Sequence, residues 1–144
     1  MEKFFASLVP LGAAEAKAMD FYQPTSLDAA LALLAADPEA LPLAGGATLV
    51  AMMNADLVAP SALVSLRDVA ELQTIEAAAD GGLRIGAMLS HAALAGEARL
   101  AGGNEVVRQA AAEIAHPQVR NIGTLGGAVA HGDPSSDLPA ALGA

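Results

Sequence analysis

A stretch near the end of the chain, from Arg120 to Pro139, restricts the fold more than any other feature. Its twenty residues include four glycines and two prolines. Glycine adds backbone freedom that a helix must remove, and proline lacks the amide that a helix needs. We therefore expect no long helix here, and we expect backbone without side chains to approach another group closely. Another glycine pair, Gly45-Gly46, lies far earlier in the chain, so the fold is expected to contain two glycine-rich turns.

The composition indicates a single packed domain with an acidic charge. The chain has 144 residues, of which 54% are apolar, 3% are aromatic and none is cysteine, with a net charge of −9. This length allows one domain with its own core, and the apolar content suits mixed α and β structure rather than disorder. Seven Lys and Arg residues are too few to neutralise a row of phosphates, so no nucleic-acid partner is expected. Without cysteine, the chain has no disulfide, no thiolate zinc site and no iron–sulfur cluster of its own.

Residues 1–20 are predicted to form an arm outside the domain, which then covers residues 21–144. An apolar run after Lys3 faintly resembles a secretion signal, but Glu2 spoils the positive start and Pro10 interrupts the run. No stretch of about eighteen apolar residues occurs, so no membrane span is expected. We expect an arm that is loosely held or docked on a partner, and a cytoplasmic location.

The first part of the domain, to about residue 66, is predicted to be a small βαβ-like lobe. Ser26 is a candidate cap for a helix whose leucines recur at helical spacing until Pro38. A short apolar segment then ends at Gly45-Gly46, and residues 61–66 are a second candidate strand. The order of helix, strand, glycine turn and apolar segment is typical of such a unit.

The second part, residues 67–144, is predicted to begin with a hairpin. Period-two alternation surrounds a turn at Asp80-Gly81, which is a common hairpin turn sequence. Ser90 is a candidate cap for a short helix through Ala95. An amphipathic helix is expected from about Glu105 to a point before Pro117.

The two glycine turns have the chemistry of anion sites. Consecutive amides exposed by Gly45-Gly46 form a concave nest, to which Thr48 adds a hydroxyl donor and a helix starting near Leu49 adds its positive end. The turn from Gly123 to Gly127 has the same chemistry. Because a pyrophosphate needs donors on two sides, two such turns favour a diphosphate. No G-x-G-x-x-G joins a strand to a helix and no P-loop lysine follows either turn, so a different fold must hold the ligand.

The acidic residues after the second turn allow three interpretations. Asp133 and Asp137 can accept hydrogen bonds from ribityl or ribose hydroxyls of a ligand. Alternatively, Asp133 closes an Asx-turn ahead of Pro134, and Asp137 caps the next helix. A third possibility is a facial metal site formed by these two aspartates with His116 and His131.

Two segments carry a resemblance to a known family. The segments "LAGGATLVAMM" and "HPQVRNIGTLGGAVAHGDPSSDLPA" resemble the FAD-binding medium subunit of molybdenum hydroxylases, the group that includes carbon monoxide dehydrogenase and xanthine dehydrogenase. The resemblance runs from about Phe21 to the last residue and includes the hairpin between the motifs. It implies an α+β fold of the vanillyl-alcohol-oxidase type, with a small α/β lobe and part of a larger α+β lobe. Related subunits continue for about as many residues again, so the fold is expected to be incomplete at its C-terminus.

The resemblance implies roles for matching positions, and none of them is catalytic. The first motif would wrap the diphosphate of FAD, and the second would add backbone and hydroxyl contacts, while the acidic positions would bind the sugar-like chain. One side-chain contact is expected to be lost, because Ala47-Thr48 departs from the usual residues after the glycine pair. The implied cofactor-binding residues are Ala44, Gly45, Gly46, Ala47, Thr48, Leu49, Thr124, Gly126, Gly127, Asp133 and Asp137.

The resemblance also implies a place in an electron-transfer chain. Electrons would leave a substrate at a molybdopterin cofactor in a large subunit, pass through [2Fe–2S] clusters in a small subunit and reach FAD in this chain. NAD, a quinone or another external acceptor would then receive them. A further chain that completes the FAD domain is a possible third partner. The alternative is a scaffold subunit of the same complex that carries no flavin.

Overall fold

The first part of the chain forms a parallel sheet. The structure, a computed structural model, describes residues 19–144, so the predicted arm of residues 1–20 lies outside it except for its last two residues. Three strands pair in the order β1-β3-β2, and two helices make the crossovers that parallel strands require. The βαβ-like prediction is confirmed. In chain order the elements are β1 (Asp20–Tyr22), α1 (Leu27–Ala36), β2 (Leu41–Leu43), α2 (Leu49–Asn54) and β3 (Ala62–Ser65).

The predicted start and end of α1 agree with the structure. The Ser26 hydroxyl accepts a hydrogen bond from the amide of Ala29 at 3.3 Å, which satisfies one of the unpaired donors in the first turn. The helix ends at Ala36, before Pro38. Its buried face packs with the central strand β3, whose side chains are all buried. The buried apolar residues of this core are Ala30, Ala40, Ala62, Val64 and Val69.

The second part of the chain begins with the predicted antiparallel hairpin. β4 (Ile75–Ala77) pairs with β5 (Leu83–Ile85), and the turn between them has Gly81 at a φ of 87°. The prediction of a short helix capped by Ser90 is also confirmed. The Ser90 hydroxyl accepts from the amide of Ala93 at 3.1 Å, and α3 (His91–Ala95) follows.

Four helices then complete this part; the sequence predicts the first of them and, in one interpretation, a helix capped by Asp137, whereas the cap of that last helix is Ser136. α4 (Glu105–Glu113) is the predicted amphipathic helix. The stretch after it forms short helices rather than open turns: α5 (Pro117–Ile122), α6 (Leu125–His131) and α7 (Asp137–Leu142). None is long, as its glycine content predicts. Burial of Leu125 and Leu138 offsets the backbone entropy of the glycines, because packing rather than propensity stabilises most short helices.

Each of the two parts of the chain has its own hydrophobic core. The second core comprises Leu94, Leu100, Val107, Ala111, Leu125 and Leu138. Leu66 packs on the first core, and Leu83 and Ile85 pack on the second. The predicted division at about residue 66 is compatible with this arrangement and stays a prediction. Among residues 19–144, no helix has both the length and the apolar character to cross a membrane.

Candidate functional site

The two glycine turns lie on one cleft. Its volume is about 500 Å³, within the usual range for small-molecule sites. All six residues predicted from the first motif, from Ala44 to Leu49, line this cleft. Thr124, Gly127 and Asp133 line it as well. Nine of the eleven residues implied by the resemblance therefore lie around a single space.

Gly45 brings the two parts of the chain into contact. A Cβ at this position would lie 1.6 Å from the carbonyl oxygen of Ile122 and 3.2 Å from the Cα of Gly123. No side chain fits there, because both of the opposing atoms belong to backbone. The sequence predicts that the missing side chain makes room for a ligand. At Gly45 it instead makes room for the backbone of Ile122 and Gly123.

Gly46 shapes the first turn. Its φ of 80° lies in the left-handed region, which residues other than glycine enter only at a cost. α2 begins after this turn, where the amide of Val50 donates to the carbonyl of Gly46 at 3.0 Å. No atom of residues 19–144 accepts a hydrogen bond from the five consecutive amides of residues 45–49. The first turn therefore offers a row of backbone donors at the wall of the cleft.

The second turn differs, because four of its five amides, all except that of Thr124, donate to acceptors within the protein. The amide of Leu125 donates to the Leu89 carbonyl at 2.9 Å, and that of Gly126 donates to the Ala87 carbonyl at 2.8 Å. The Thr124 hydroxyl caps α6 by accepting from the amide of Gly127 at 3.1 Å. Among residues 19–144, no acceptor is present for the Thr124 amide, so the predicted backbone contacts from the second turn stay a prediction. The turn closes the cleft and contributes the buried Thr124 side chain.

Gly126 itself lies behind the cleft and not on it. A Cβ at this position would be 2.6 Å from the Cβ of Ala87 and 2.9 Å from its carbonyl oxygen. Gly126 is absent from the residues that line the cleft, so it acts through packing against the segment between β5 and α3. Its predicted contact with a ligand is not supported by its position.

The two aspartates have different positions. Asp133 lines the cleft, and its Oδ1 accepts from the Ser135 amide at 2.8 Å and the Ser135 hydroxyl at 2.7 Å, which is the Asx-turn interpretation. These two donors, together with the nearby His131, hold the pKa of the Asp133 carboxyl below its usual range. Asp137 is the first residue of α7 and does not line the cleft, so its predicted role toward a ligand is not supported.

His91 is a residue of the cleft that the sequence does not predict. Its side chain is 5% exposed, and its Nδ1 has no hydrogen-bond partner among the described residues. The imidazole lies against Gly123, where a Cβ would be 2.9 Å from Nε2. Burial lowers the pKa of His91, because the charged form loses its hydration. A histidine at the start of a short helix carries no sequence signal for this position.

The buried imidazole predicts a loss of stability in mild acid. Below about pH 6.5 the unfolded chain binds a proton at His91 that the folded chain binds less readily, so the free energy of unfolding falls as the pH falls. We expect His91→Gln to reduce the drop in melting temperature between about pH 8 and about pH 5. His116→Gln, at an exposed histidine, is the control and should keep the slope of the parent protein. Equal slopes for His91→Gln and the parent protein would contradict the assignment.

The metal-site interpretation receives no support from the geometry. His116, His131, Asp133 and Asp137 do not come together, and no group of three His, Cys, Asp or Glu side chains within residues 19–144 could hold a metal ion. His131 and Asp133 share the cleft, whereas the other two lie elsewhere. This arrangement corrects the facial set proposed from the spacing.

Comparison with known proteins identifies the class to which this fold and cleft belong. Residues 17–144 match the family described as the FAD binding domain in molybdopterin dehydrogenase. The chain belongs to this family, as its resemblance predicts, and its fold class is confirmed.

Individual relatives agree with this assignment. The carbon monoxide dehydrogenase medium chain of Afipia carboxidovorans is 42% identical over 125 residues, covering 85% of this chain and 43% of the relative. The nicotine 6-hydroxylase medium subunit of Paenarthrobacter nicotinovorans is 36% identical, covering 87% of this chain and 44% of the relative. The crystal structure of quinoline 2-oxidoreductase from Pseudomonas putida 86 superposes with a TM-score of 0.80 at 39% identity, over 85% of this chain and 42% of that one. This chain thus spans less than half the length of these relatives.

Proposed function

We propose that the cleft binds FAD and that the first glycine turn holds its diphosphate. The observation that carries this proposal is the row of five amides, from Gly45 to Leu49, which have no acceptor among residues 19–144. A diphosphate presents oxygens on two linked phosphorus atoms and can accept from several neighbouring donors at once. Successive backbone donors around a concave turn are a common way to bind such an anion.

The charge of the cleft favours backbone recognition over ion pairing. Within residues 19–144, no Lys or Arg lines it, although the ligand would bring two negative charges. The amides of the first turn and the hydroxyls of Thr48 and Thr124 are therefore the donors that replace the hydration of the phosphates. α2 has only six residues, so the amides themselves, rather than the dipole of that helix, carry this role.

The rest of the cleft suits the other parts of the same ligand. Both bonds to Asp133 use Oδ1, which leaves Oδ2 available to accept from a hydroxyl of the ribityl or ribose group. Apolar residues line other walls of the cleft, where an aromatic ring system can pack. These residues include Leu41, Met52, Leu66, Ile114 and Val119.

We propose that the chain serves as the flavin-binding part of a molybdenum hydroxylase. FAD held by the first glycine turn would supply the redox chemistry, which is electron transfer from [2Fe–2S] clusters in a small subunit to an external acceptor. The protein positions the cofactor and contributes no acid, base or nucleophile. The names of the relatives, which are medium chains or subunits, support partnership with a molybdopterin-binding large subunit and a small subunit. A cytoplasmic location remains part of the proposal.

Titration of the chain with FAD tests the proposal. We expect quenching of flavin fluorescence and a visible circular dichroism signal, with a Kd in the micromolar range, about 8 kcal/mol of binding free energy. ADP, which keeps the diphosphate, should compete, whereas AMP should not. Absence of any complex with FAD would overturn the proposal.

The scaffold interpretation makes a different prediction for the same protein. Several apolar side chains are exposed, and among them Leu57 is 70% exposed and Phe21 is 51% exposed. A scaffold subunit would co-purify with the large and small subunits and carry no flavin. Co-purification without flavin, combined with a failed titration, would therefore support the scaffold.

A further inference from the structure

The connection between α4 and α5 contains a residue in an unfavourable conformation. Ala115 has a φ of 41°, in the left-handed region that residues with a Cβ avoid. It follows the last helical turn of α4, and α5 begins two residues later at Pro117. Strain of this kind persists only where surrounding contacts hold the backbone in place.

Arg120 supplies such contacts. One nitrogen of its guanidinium, Nη1, donates to the carbonyl oxygens of Ile114 at 2.8 Å and Ala115 at 2.9 Å. Hydrogen bonds from a charged donor are stronger than those between neutral groups. α5, which carries Arg120, has only six residues and cannot be stable on its own. The guanidinium therefore ties α5 to the strained turn that precedes it.

The tied segment forms one wall of the cleft. Ile114 and Val119 both line it. At the end of α5, the carbonyl of Ile122 meets Gly45 of the first glycine turn, and Gly123 lies on the imidazole of His91. A shift of α5 would therefore change the distance between the two glycine turns.

We propose that Arg120 is a positioning residue for the cofactor cleft: by holding the Ile114–Ala115 turn, it fixes α5 against Gly45. The part of the test that measures the Kd for FAD rests on the proposed function, the binding of FAD. The contacts of Arg120 are made within the chain, so Arg120 acts on the cleft wall and not on the ligand.

Comparison of Arg120→Met with Arg99→Met tests the proposal. Arg99 is a matched control, because its Nη1 also donates to a backbone carbonyl, that of Ile75 at 2.9 Å, in a region that does not line the cleft. We expect Arg120→Met to raise the Kd for FAD about ten-fold or more and Arg99→Met to leave it within about two-fold. An equal effect of the two variants, or no effect of Arg120→Met, would overturn the proposal. If Arg120→Met does not fold, Arg120→Lys replaces it, with the same order expected.

A second substitution separates positioning from general stability. Glycine adopts a φ of 41° without strain, so Ala115→Gly should make the turn less dependent on Arg120. We expect Ala115→Gly to recover much of the FAD affinity lost in Arg120→Met while changing the affinity of the parent protein little. Purely additive effects of the two changes would count against the proposal.

Hydrogen exchange of the ligand-free chain keeps the test independent of flavin binding. The amide of Gly123 donates to the carbonyl of Val119 at 2.7 Å, at the end of α5. We expect Arg120→Met to speed its exchange about ten-fold or more, with the amide of Leu94 in α3 unchanged. Unchanged exchange at Gly123 would overturn the role of Arg120 even if FAD binds. A parent protein that binds no FAD would instead overturn the proposed function and leave this readout valid.

Discussion

Replacement of Gly45 by alanine is expected to abolish FAD binding and to lower the melting temperature by about 10 °C, a loss of about 3 kcal/mol. The new Cβ would lie 1.6 Å from the carbonyl oxygen and 2.6 Å from the carbonyl carbon of Ile122. No rotation of a side chain relieves this overlap, because the opposing atoms belong to backbone. The two segments must separate, and the cleft opens between them. Thermal unfolding and FAD titration measure the two effects.

Gly103→Ala is the control for Gly45→Ala. No atom of the described part of the chain lies within 4 Å of a Cβ built at Gly103, and its φ lies outside the left-handed range, so alanine fits there without strain. We expect this variant to retain both the melting temperature and the affinity for FAD. A Gly45→Ala protein with the stability and affinity of the parent would show that the contact with Ile122 does not exist in solution.

Replacement of Gly46 by valine is expected to weaken FAD binding about a hundred-fold, close to 3 kcal/mol. A β-branched residue is strained at the φ of 80° that Gly46 adopts, and its Cβ would also lie 3.2 Å from the side chains of Leu43 and Val50. The backbone should relax toward a negative φ, which changes the orientation of the amides next to Gly46 in the first turn. Gly46→Asn should bind FAD better than Gly46→Val, because asparagine tolerates the left-handed region.

Gly81 provides the matched control for this second substitution. It has a φ of 87° in the hairpin turn and does not line the cleft, and no atom of residues 19–144 lies within 4 Å of a Cβ built there. Gly81→Val should therefore lower the melting temperature through the same backbone strain and leave the affinity for FAD unchanged. Equal losses of affinity in the two valine variants would assign the effect to stability alone and contradict the nest at Gly46.

The features that the sequence predicts well depend on short-range patterns. The caps at Ser26 and Ser90 each need only a hydroxyl three residues before an amide, and both bonds are present. The hairpin depends on alternation around Asp80-Gly81. The first motif is similarly local, since the left-handed Gly46 and its neighbours form the turn among themselves. Each of these features can therefore be predicted from a few adjacent residues.

The features that the sequence does not predict depend on contacts between distant segments. Nothing beside Gly45 indicates that its partner is the carbonyl of Ile122. The amides of Leu125 and Gly126 in the second turn are paired because the carbonyls of Leu89 and Ala87 lie beside them, which only the folded chain reveals. The helices α6 and α7 likewise depend on buried leucines that pack in one core with residues of α3 and α4. The positions of glycines indicate where the backbone can bend or be approached closely, but they do not indicate which distant segment packs there.

The row of backbone amides at the first turn affects which substitutions the site tolerates during evolution. Main-chain donors are present with every side chain except that of proline, so other substitutions at Ala44, Ala47 or Leu49 leave the row itself intact. Only the glycine that sets the bend and the glycine that admits the opposing chain are irreplaceable. Many residues around this bend, including the Ala47-Thr48 pair found here, can therefore change over evolution without loss of the proposed anion site.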